Sequence, residues 1–217
     1  MRLTFRLSIG LLITLVFAAG FALIALLVGR HHITAFDRTI TNGLQGFEAP
    51  GLTRIMVFIT NLGSGLPVIV ISLVCMLFLF FVLKHRHELL LFLFAILGSS
   101  LFNVVLKSIF HRQRPDLHRL IQETGFSFPS GHSMGAFALY GILTYLLWRH
   151  IPSWQGRVIL ILVSCAFILA IGISRIYLGV HYPSDVLGGY LASGFWLSVS
   201  IGIYRRYERR KAGFRAR

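Results

Sequence analysis

The sequence predicts an all-α fold, a bundle of six transmembrane helices with both termini in the cytoplasm. Three observations predict it: the composition, the number of long apolar stretches and the distribution of basic residues. Hydrophobic residues make up 56% of the 217 residues and charged residues 13%, with a mean hydropathy of +0.77. Soluble domains carry about 25% charged residues. The composition therefore excludes a disordered chain, a coiled coil and almost any soluble globular fold.

Six apolar stretches are candidate membrane spans, because a bilayer core about 30 Å thick needs about 20 apolar residues as helix. They cover residues 7–28, 66–83, 89–109, 134–148, 158–174 and 186–204. The second could begin earlier, in the apolar stretch from Ile55, after a first outer loop over residues 29–54. The first is long for a signal-peptide h-region of about 7–15 residues, so we interpret it as a retained helix. Only loops and ends are left over, which indicates one integral-membrane domain over residues 1–217.

The basic residues orient this predicted bundle. The chain has 21 Lys and Arg residues against seven Asp and Glu, a formal net charge of +14. In a soluble protein such an excess would indicate nucleic-acid binding, but membrane proteins collect Lys and Arg in their cytoplasmic loops. The side with both termini carries 13 of the 21 basic residues and two of the seven acids. We therefore expect cytoplasmic termini and no nucleic-acid partner.

A second group of basic residues lies on the outer side, in the last turn of the third span and beyond it. Its members are Lys107, Arg112, Arg114 and Arg119, with Arg175 later in the chain. Such a cluster needs an anionic partner, which could be lipid headgroups, a phosphate ligand or the local acids Asp116 and Glu123. Ser99, Asn103 and Lys107 are spaced four apart and share one helix face. This polar face favours a position inside the bundle, although a lysine near a helix end can also snorkel to the interface.

Two further outer segments place polar groups where helices begin. Residues 128–132 precede the fourth span, with Ser130 as the expected N-cap. The free backbone N–H groups there bind anions, although an ordinary cap with an interfacial His132 explains the same pattern. Residues 174–185 precede the sixth span. Asp185 can reach back to His181, which fixes the tautomer of the imidazole. The alternative is an acid favoured by the helix dipole and an incidental histidine.

The predicted topology brings these three segments to the same outer end of the bundle. Cationic side chains neutralise a phosphoryl group, and arginine can bind it in a bidentate manner. One histidine can attack phosphorus while the other protonates the departing oxygen. Too few carboxylates are present to hold two magnesium ions. The sequence therefore predicts a phosphate site at the outer ends of the helices, without a metal or a cofactor.

Three motifs resemble the type 2 phosphatidic acid phosphatase superfamily, a family of integral-membrane lipid phosphatases related to vanadium haloperoxidases. That family carries the patterns K-x6-R-P, P-S-G-H and S-R-x5-H-x3-D. All three match here in order and spacing, within residues 107–185. The matching positions are Lys107, Arg114, Pro115, Pro129, Ser130, Gly131, His132, Ser174, Arg175, His181 and Asp185.

The resemblance implies a role for each functional residue of these motifs. His181 would be the nucleophile that forms a phosphohistidine, and Asp185 would orient it. His132 would be the general acid for the leaving group and then the base for water. The phosphoryl oxygens would be held by Lys107, Arg114, Ser130, the backbone N–H of Gly131, and Arg175. Neither a metal nor a cofactor would be required.

The resemblance also implies a substrate class and a location. Small bacterial members that lack an extra soluble domain act on phosphatidylglycerophosphate or undecaprenyl diphosphate, and other lipid phosphates are close competitors. We expect a plasma-membrane enzyme with its site near the outer face, a lipid phosphate substrate and no obligatory protein partner. Phosphate transfer between lipids or haloperoxidase-like vanadate chemistry on the same fold are alternatives. A small anion transporter is disfavoured, because the inner halves of the spans contain few polar residues.

Overall fold

The computed structural model describes residues 2–82, 86–116 and 118–215. Its helices in chain order are α1 (Arg2–Gly29), α2 (Thr34–Gln45), α3 (Pro50–Leu62), α4 (Gly65–Leu77), α5 (Arg86–Phe110), α6 (Gly131–Leu147), α7 (Trp154–Tyr177) and α8 (Pro183–Arg215). A π-helical turn, Phe78–Val82, extends α4. No β-strand occurs within the described ranges, so the predicted all-α class is confirmed.

Four helices are long and apolar enough to cross a membrane, over Ile9–Gly29, Glu88–Phe110, Trp154–Tyr177 and Pro183–Lys211. Helices α3 and α4 form a fifth candidate as a pair, bent by 51° at the break between them. Helix α6 has 17 residues, which is about 26 Å of helix. The structure thus supports a multi-pass membrane protein, while six spans and the side of the termini stay predictions. Residue 83, the predicted end of the second span, lies outside the described residues.

The first outer segment differs from the sequence-based expectation. The sequence predicts a loop over residues 29–54, whereas the structure has the amphipathic helix α2 there. One side of α2 buries Asp37 to 1% exposure. At its end, the Gln45 side-chain amide donates to the backbone carbonyls of His118 at 3.0 Å and Tyr177 at 3.3 Å. These contacts hold α2 over the end of the bundle that contains Tyr177. We call it the outer end, after the side on which the predicted topology places it.

Helices α6 and α8 form the centre of the bundle. Helix α8 packs against α1, α5 and α6, while α6 also packs against α5 and α7. An apolar cluster joins α5, α6 and α8 at the end of the bundle opposite the N-termini of α6 and α8. Its buried members are Leu91, Phe92, Ala95, Leu139, Ile142, Leu146 and Leu197. The other end holds the polar residues described next.

Candidate active site

The short connection between α7 and α8 places His181. This turn requires glycine at position 179, where φ is +71°, because a Cβ there would lie 1.9 Å from the carbonyl oxygen of His118. The backbone N–H of His181 then donates back to the carbonyl of Arg175 at 3.3 Å. Pro183 begins α8, as expected for a proline at the first helical position. The imidazole is consequently held at the outer end of the bundle, between the two helices.

His181 faces a carboxylate through one ring nitrogen. Its Nδ1 lies 3.5 Å from Oδ2 of Asp185 and 3.4 Å from Oγ of Ser127. The same carboxylate oxygen accepts hydrogen bonds from the Ser127 hydroxyl and, at 2.8 Å, from the Tyr182 backbone N–H. His181 and Asp185 are 1% and 0% exposed. This arrangement favours the tautomer with the proton on Nδ1, which leaves the lone pair on Nε2.

The other ring nitrogen faces a fixed guanidinium. Nη1 of Arg114 lies 3.1 Å from Nε2 of His181 and donates to the carbonyl of Val180 at 3.0 Å. The rest of this guanidinium donates to the carbonyls of Gly125 and Thr124, at 3.0 and 2.9 Å. Burial lowers the pKa of His181 to about 4, and the hydrogen bond that His181 donates to Asp185 offsets only part of that shift. The imidazole is therefore neutral at pH 7, as a nucleophile must be.

Arg175 supplies a second buried guanidinium, 1% exposed. Nη1 donates to the hydroxyl of Thr60 at 2.8 Å, and Nη2 donates to Oε1 of Glu123 at 2.6 Å. Within the described part of the chain, its buried Nε has no hydrogen-bond acceptor. The other Glu123 oxygen lies 3.9 Å from Arg114, so one carboxylate bridges both arginines. Burial would raise the pKa of Glu123, but the hydrogen bond and charge of Arg175 bring it below its ordinary value.

The first turn of α6 completes the site. The Ser130 hydroxyl caps α6, as the sequence predicts, by accepting from the Ser133 backbone N–H at 3.4 Å. The Ser130 backbone N–H donates to the carbonyl of Asp185 at 3.0 Å, which ties the start of α6 to α8. His132 follows in the same turn, and burial together with the charge of Arg175 lowers its pKa to about 3. Gly131 contributes one of the first N–H groups of α6, which have no partner inside a helix.

The polar face of α5 points into the bundle. Ser99 is 1% exposed, and its hydroxyl lies 3.5 Å from that of Ser193. The Asn103 amide donates to the carbonyl of Pro129 at 3.1 Å. Lys107 continues this face in the last turn of α5 and interacts electrostatically with Arg114 and Arg175. All eight residues selected from the sequence therefore come from segments that meet at the outer end of the bundle.

Four further residues belong to this assembly, although the sequence analysis did not select them as site residues. Arg112 was predicted only as a member of the basic cluster. Glu123 was predicted only as a possible anionic partner of that cluster, and it does contact Arg175 and Arg114. Ser127 and Asp37 carry no motif signal, and Asp37 lies on a helix that was not predicted. Across the described ranges, no group of three or more His, Cys, Asp and Glu side chains is placed to hold a metal ion.

Residues 88–209 match the family model of the PAP2 superfamily. The chain belongs to this family. Phosphatidylglycerophosphatase B of Bacillus subtilis (strain 168) is 38% identical over 176 residues, which are 78% of this chain and 84% of that protein. The Escherichia coli (strain K12) protein YbjG, provisionally named an undecaprenyl-diphosphatase, is 28% identical over 178 residues, 74% of this chain and 82% of that protein.

A solved structure has the same fold. The crystal structure of a transmembrane PAP2-type phosphatidylglycerolphosphate phosphatase from Bacillus subtilis superposes with a TM-score of 0.83 at 30% sequence identity. The match covers 89% of this chain and 96% of that chain. Together with the family match, it confirms the resemblance inferred from the motifs and the predicted class of enzyme, a membrane phosphatase.

Proposed function

We propose that the protein removes phosphate from a membrane lipid, with phosphatidylglycerophosphate as the preferred substrate and undecaprenyl diphosphate as the second candidate. We rank the two substrates by the identity of the relatives named for them. The relative named for phosphatidylglycerophosphate is 38% identical to this chain, and the one named for undecaprenyl diphosphate is 28% identical. The enzyme would act in the plasma membrane near its outer face, because 13 of the 21 basic residues lie on the opposite side in the predicted topology.

The observation that carries this proposal is the buried His181 between a carboxylate and a guanidinium. Its neutral Nε2 would attack phosphorus while the bond from phosphorus to the lipid oxygen breaks. His132 would be protonated once an anionic phosphoryl group lies beside it, because a nearby negative charge raises the pKa of an imidazole. It would donate that proton to the departing oxygen, so that the lipid leaves as an alcohol, or as a monophosphate from a diphosphate. Water would then attack the phosphohistidine with His132 as base, and cleavage of the phosphorus–nitrogen bond would release inorganic phosphate.

The phosphoryl oxygens would be held by Lys107, Arg114, Ser130, the backbone N–H of Gly131, and Arg175. The buried Nε of Arg175, which lacks an acceptor among the described residues, supports this assignment because a phosphoryl oxygen would supply one. Donors fixed in advance around the developing negative charge are usually the largest contribution to catalysis. Arg114 meets that condition, since backbone carbonyls fix its guanidinium.

Phosphate release by the purified protein tests the proposal. We expect the highest kcat/KM with phosphatidylglycerophosphate, lower values with undecaprenyl diphosphate and phosphatidic acid, and unchanged rates in EDTA. His181→Ala should lower kcat on the order of 10⁴-fold or more, as loss of a nucleophile does in other hydrolases. The matched control is His31→Ala, which replaces an exposed outer histidine and should stay within about twofold of wild type.

Other outcomes would identify the alternatives. Wild-type turnover in His181→Ala would refute the phosphohistidine mechanism. Phosphate transferred to an added lipid acceptor instead of water would indicate a transferase. Phosphate flux into liposomes without hydrolysis would indicate a transporter.

A further inference from the structure

A hydrogen-bonded network continues from Asp185 on the side away from His181. Oδ1 of Asp185 accepts from Nη1 of Arg112 at 2.6 Å, and Nη2 of Arg112 donates to Oδ2 of Asp37 at 2.8 Å. Ser184 hydrogen-bonds to two of these groups, Arg112 and Asp37. Its hydroxyl accepts from Arg112 at 2.7 Å and donates to Asp37 at 2.7 Å, while its backbone N–H donates to Asp37 at 2.9 Å. Asp37 therefore accepts three hydrogen bonds, two from Ser184 in the first turn of α8 and one from Arg112.

The network is buried. Asp37 is 1% exposed, and Ser184 and Asp185 are fully buried. The Arg112 side chain is 16% exposed and lies 4.3 Å above the centre of the Tyr182 ring. Burying a carboxylate costs several kcal/mol unless it is paired and hydrogen-bonded. Burial would lower the pKa of Arg112, but the two carboxylates more than offset this and raise it, so Arg112 is charged.

The geometry separates this network from the phosphate site. Arg112 and Asp37 line an outer cavity of about 720 Å³ whose described lining residues include none of Lys107, Arg114 and Arg175. The Asp185 carboxylate lies between the two sides, with Oδ1 on Arg112 and Oδ2 towards His181. Arg112 thus fixes the rotation of this carboxylate without facing the phosphate-binding arginines.

We propose that Asp37 is a positioning residue for the phosphatase reaction: it fixes Arg112 and Ser184, which hold the Asp185 carboxylate in the orientation that His181 requires. Asp37 also shares the positive charge of Arg112, which would otherwise neutralise Asp185 more fully and weaken its effect on the imidazole. The inference rests on the proposed role of His181. It makes α2, a helix outside the motif region, part of the catalytic apparatus.

The first test is Asp37→Asn, which keeps the size of the side chain and removes its charge. We expect kcat to fall by about 10–100-fold, the range typical for hydrogen-bonded partners of directly acting groups in metal sites. KM should stay within about twofold, because the phosphate-binding residues are untouched. Phosphohistidine formation in rapid-quench experiments should slow by the same factor as kcat. The matched control is Asp116→Asn, an exposed carboxylate of the same cavity, which should leave kcat within about twofold.

A second variant keeps the test decisive if Asp37→Asn does not fold. Ser184→Ala removes one hydroxyl and leaves every charge in place, and we expect kcat to fall about fivefold with KM unchanged. Where both variants fold, the double variant should lose less than the product of the two single effects, because both act through Asp185. Melting temperature and gel-filtration profile identify the folded fraction, and kcat is expressed per folded molecule.

Three results would overturn the inference. One is a kcat within twofold of wild type in Asp37→Asn, or in Ser184→Ala if only that variant folds, while His181→Ala is inactive. The second is a raised KM at constant kcat, which would place Asp37 in substrate binding. The third is a lower folded fraction with normal kcat per folded molecule, which would make its role structural. Absence of phosphate release by the wild-type protein would instead refute the proposed function.

Discussion

The two ends of the bundle are built on different principles. At the outer end, several of the buried side chains are charged, and each of these is held by particular partners: Asp185 by Arg112 and Ser127, Arg114 by backbone carbonyls. At the opposite end, buried leucine, isoleucine and phenylalanine side chains fill the space between α5, α6 and α8. An apolar position tolerates other apolar residues of similar volume, whereas a buried charge needs its particular partners.

This difference predicts which property each end controls. Substitutions at the outer end should change catalysis, because they move donors, acceptors and charges around His181. Substitutions in the apolar cluster should change stability and leave the chemistry of each folded molecule intact. The predictions below test that separation.

Arg175→Lys should have the largest effect. Lysine keeps the positive charge but loses the planar fork that donates to Thr60 and Glu123. It also loses the Nε, which has no acceptor among the residues that the structure describes. We expect kcat/KM to fall by about 10²–10³-fold, as on removal of one donor to a developing oxyanion. Arg54→Lys, at an exposed outer arginine, is the control and should stay within about twofold. Comparable losses in both variants would show that the outer end responds to any change of arginine.

Leu91→Ala should lower the free energy of unfolding by about 2 kcal/mol, the low end of values for buried leucine. We expect the low end of the range because lipid is as apolar as leucine. The substitution therefore lowers stability mainly through lost packing contacts, and hardly through lost transfer of the side chain from water. Leu90→Ala is the control, since Leu90 is 66% exposed and Leu91 3%; its effect should be much smaller. Unfolding in detergent and kcat per folded molecule measure the two properties. A tenfold loss of kcat in Leu91→Ala would contradict the separation of the two ends.

The same contrast explains how far the sequence could predict the structure. The residues proposed to bind phosphate and to catalyse the reaction could be selected from the sequence because their spacing matches three family motifs within residues 107–185. Asp37 was not, because its partner Ser184 lies 147 residues away and the α2 segment contains no motif. Ser127 was missed because a lone serine in a loop gives no signal until its hydroxyl is seen against Asp185.

The spans show a similar limit. Long apolar stretches predicted α1, α5, α7 and α8, because each of these helices contains a continuous apolar part of 21 to 29 residues. The bend of 51° between α3 and α4 was not predictable, since hydropathy reports the total apolar length and not the direction of the chain. The chain has six spans only if α6 also crosses the membrane. This helix has 17 residues and is surrounded by other helices.

The smallest effect concerns the pH dependence of stability. Burial lowers the pKa of folded His181 to about 4, whereas an unfolded histidine has a pKa of about 6.5. Between these values the unfolded chain binds a proton that the folded chain does not, so stability falls as the pH falls through this window. We expect His181→Asn to remove about 2 kcal/mol of the destabilisation that wild type shows between pH 7.5 and pH 5.

Melting temperatures of both proteins at pH 7.5 and pH 5 measure this difference. At pH 7.5 neither the folded nor the unfolded His181 is protonated, so that comparison isolates the effect of the substitution on packing. A larger drop for wild type at pH 5 would support a neutral, buried imidazole held by the outer network. Parallel drops in both proteins would mean that folded His181 takes up its proton as readily as the unfolded chain does. The outer end would then lack the environment that keeps the imidazole of His181 neutral. The two ends would differ in which residues they contain, but not in how they affect the protonation of a buried side chain.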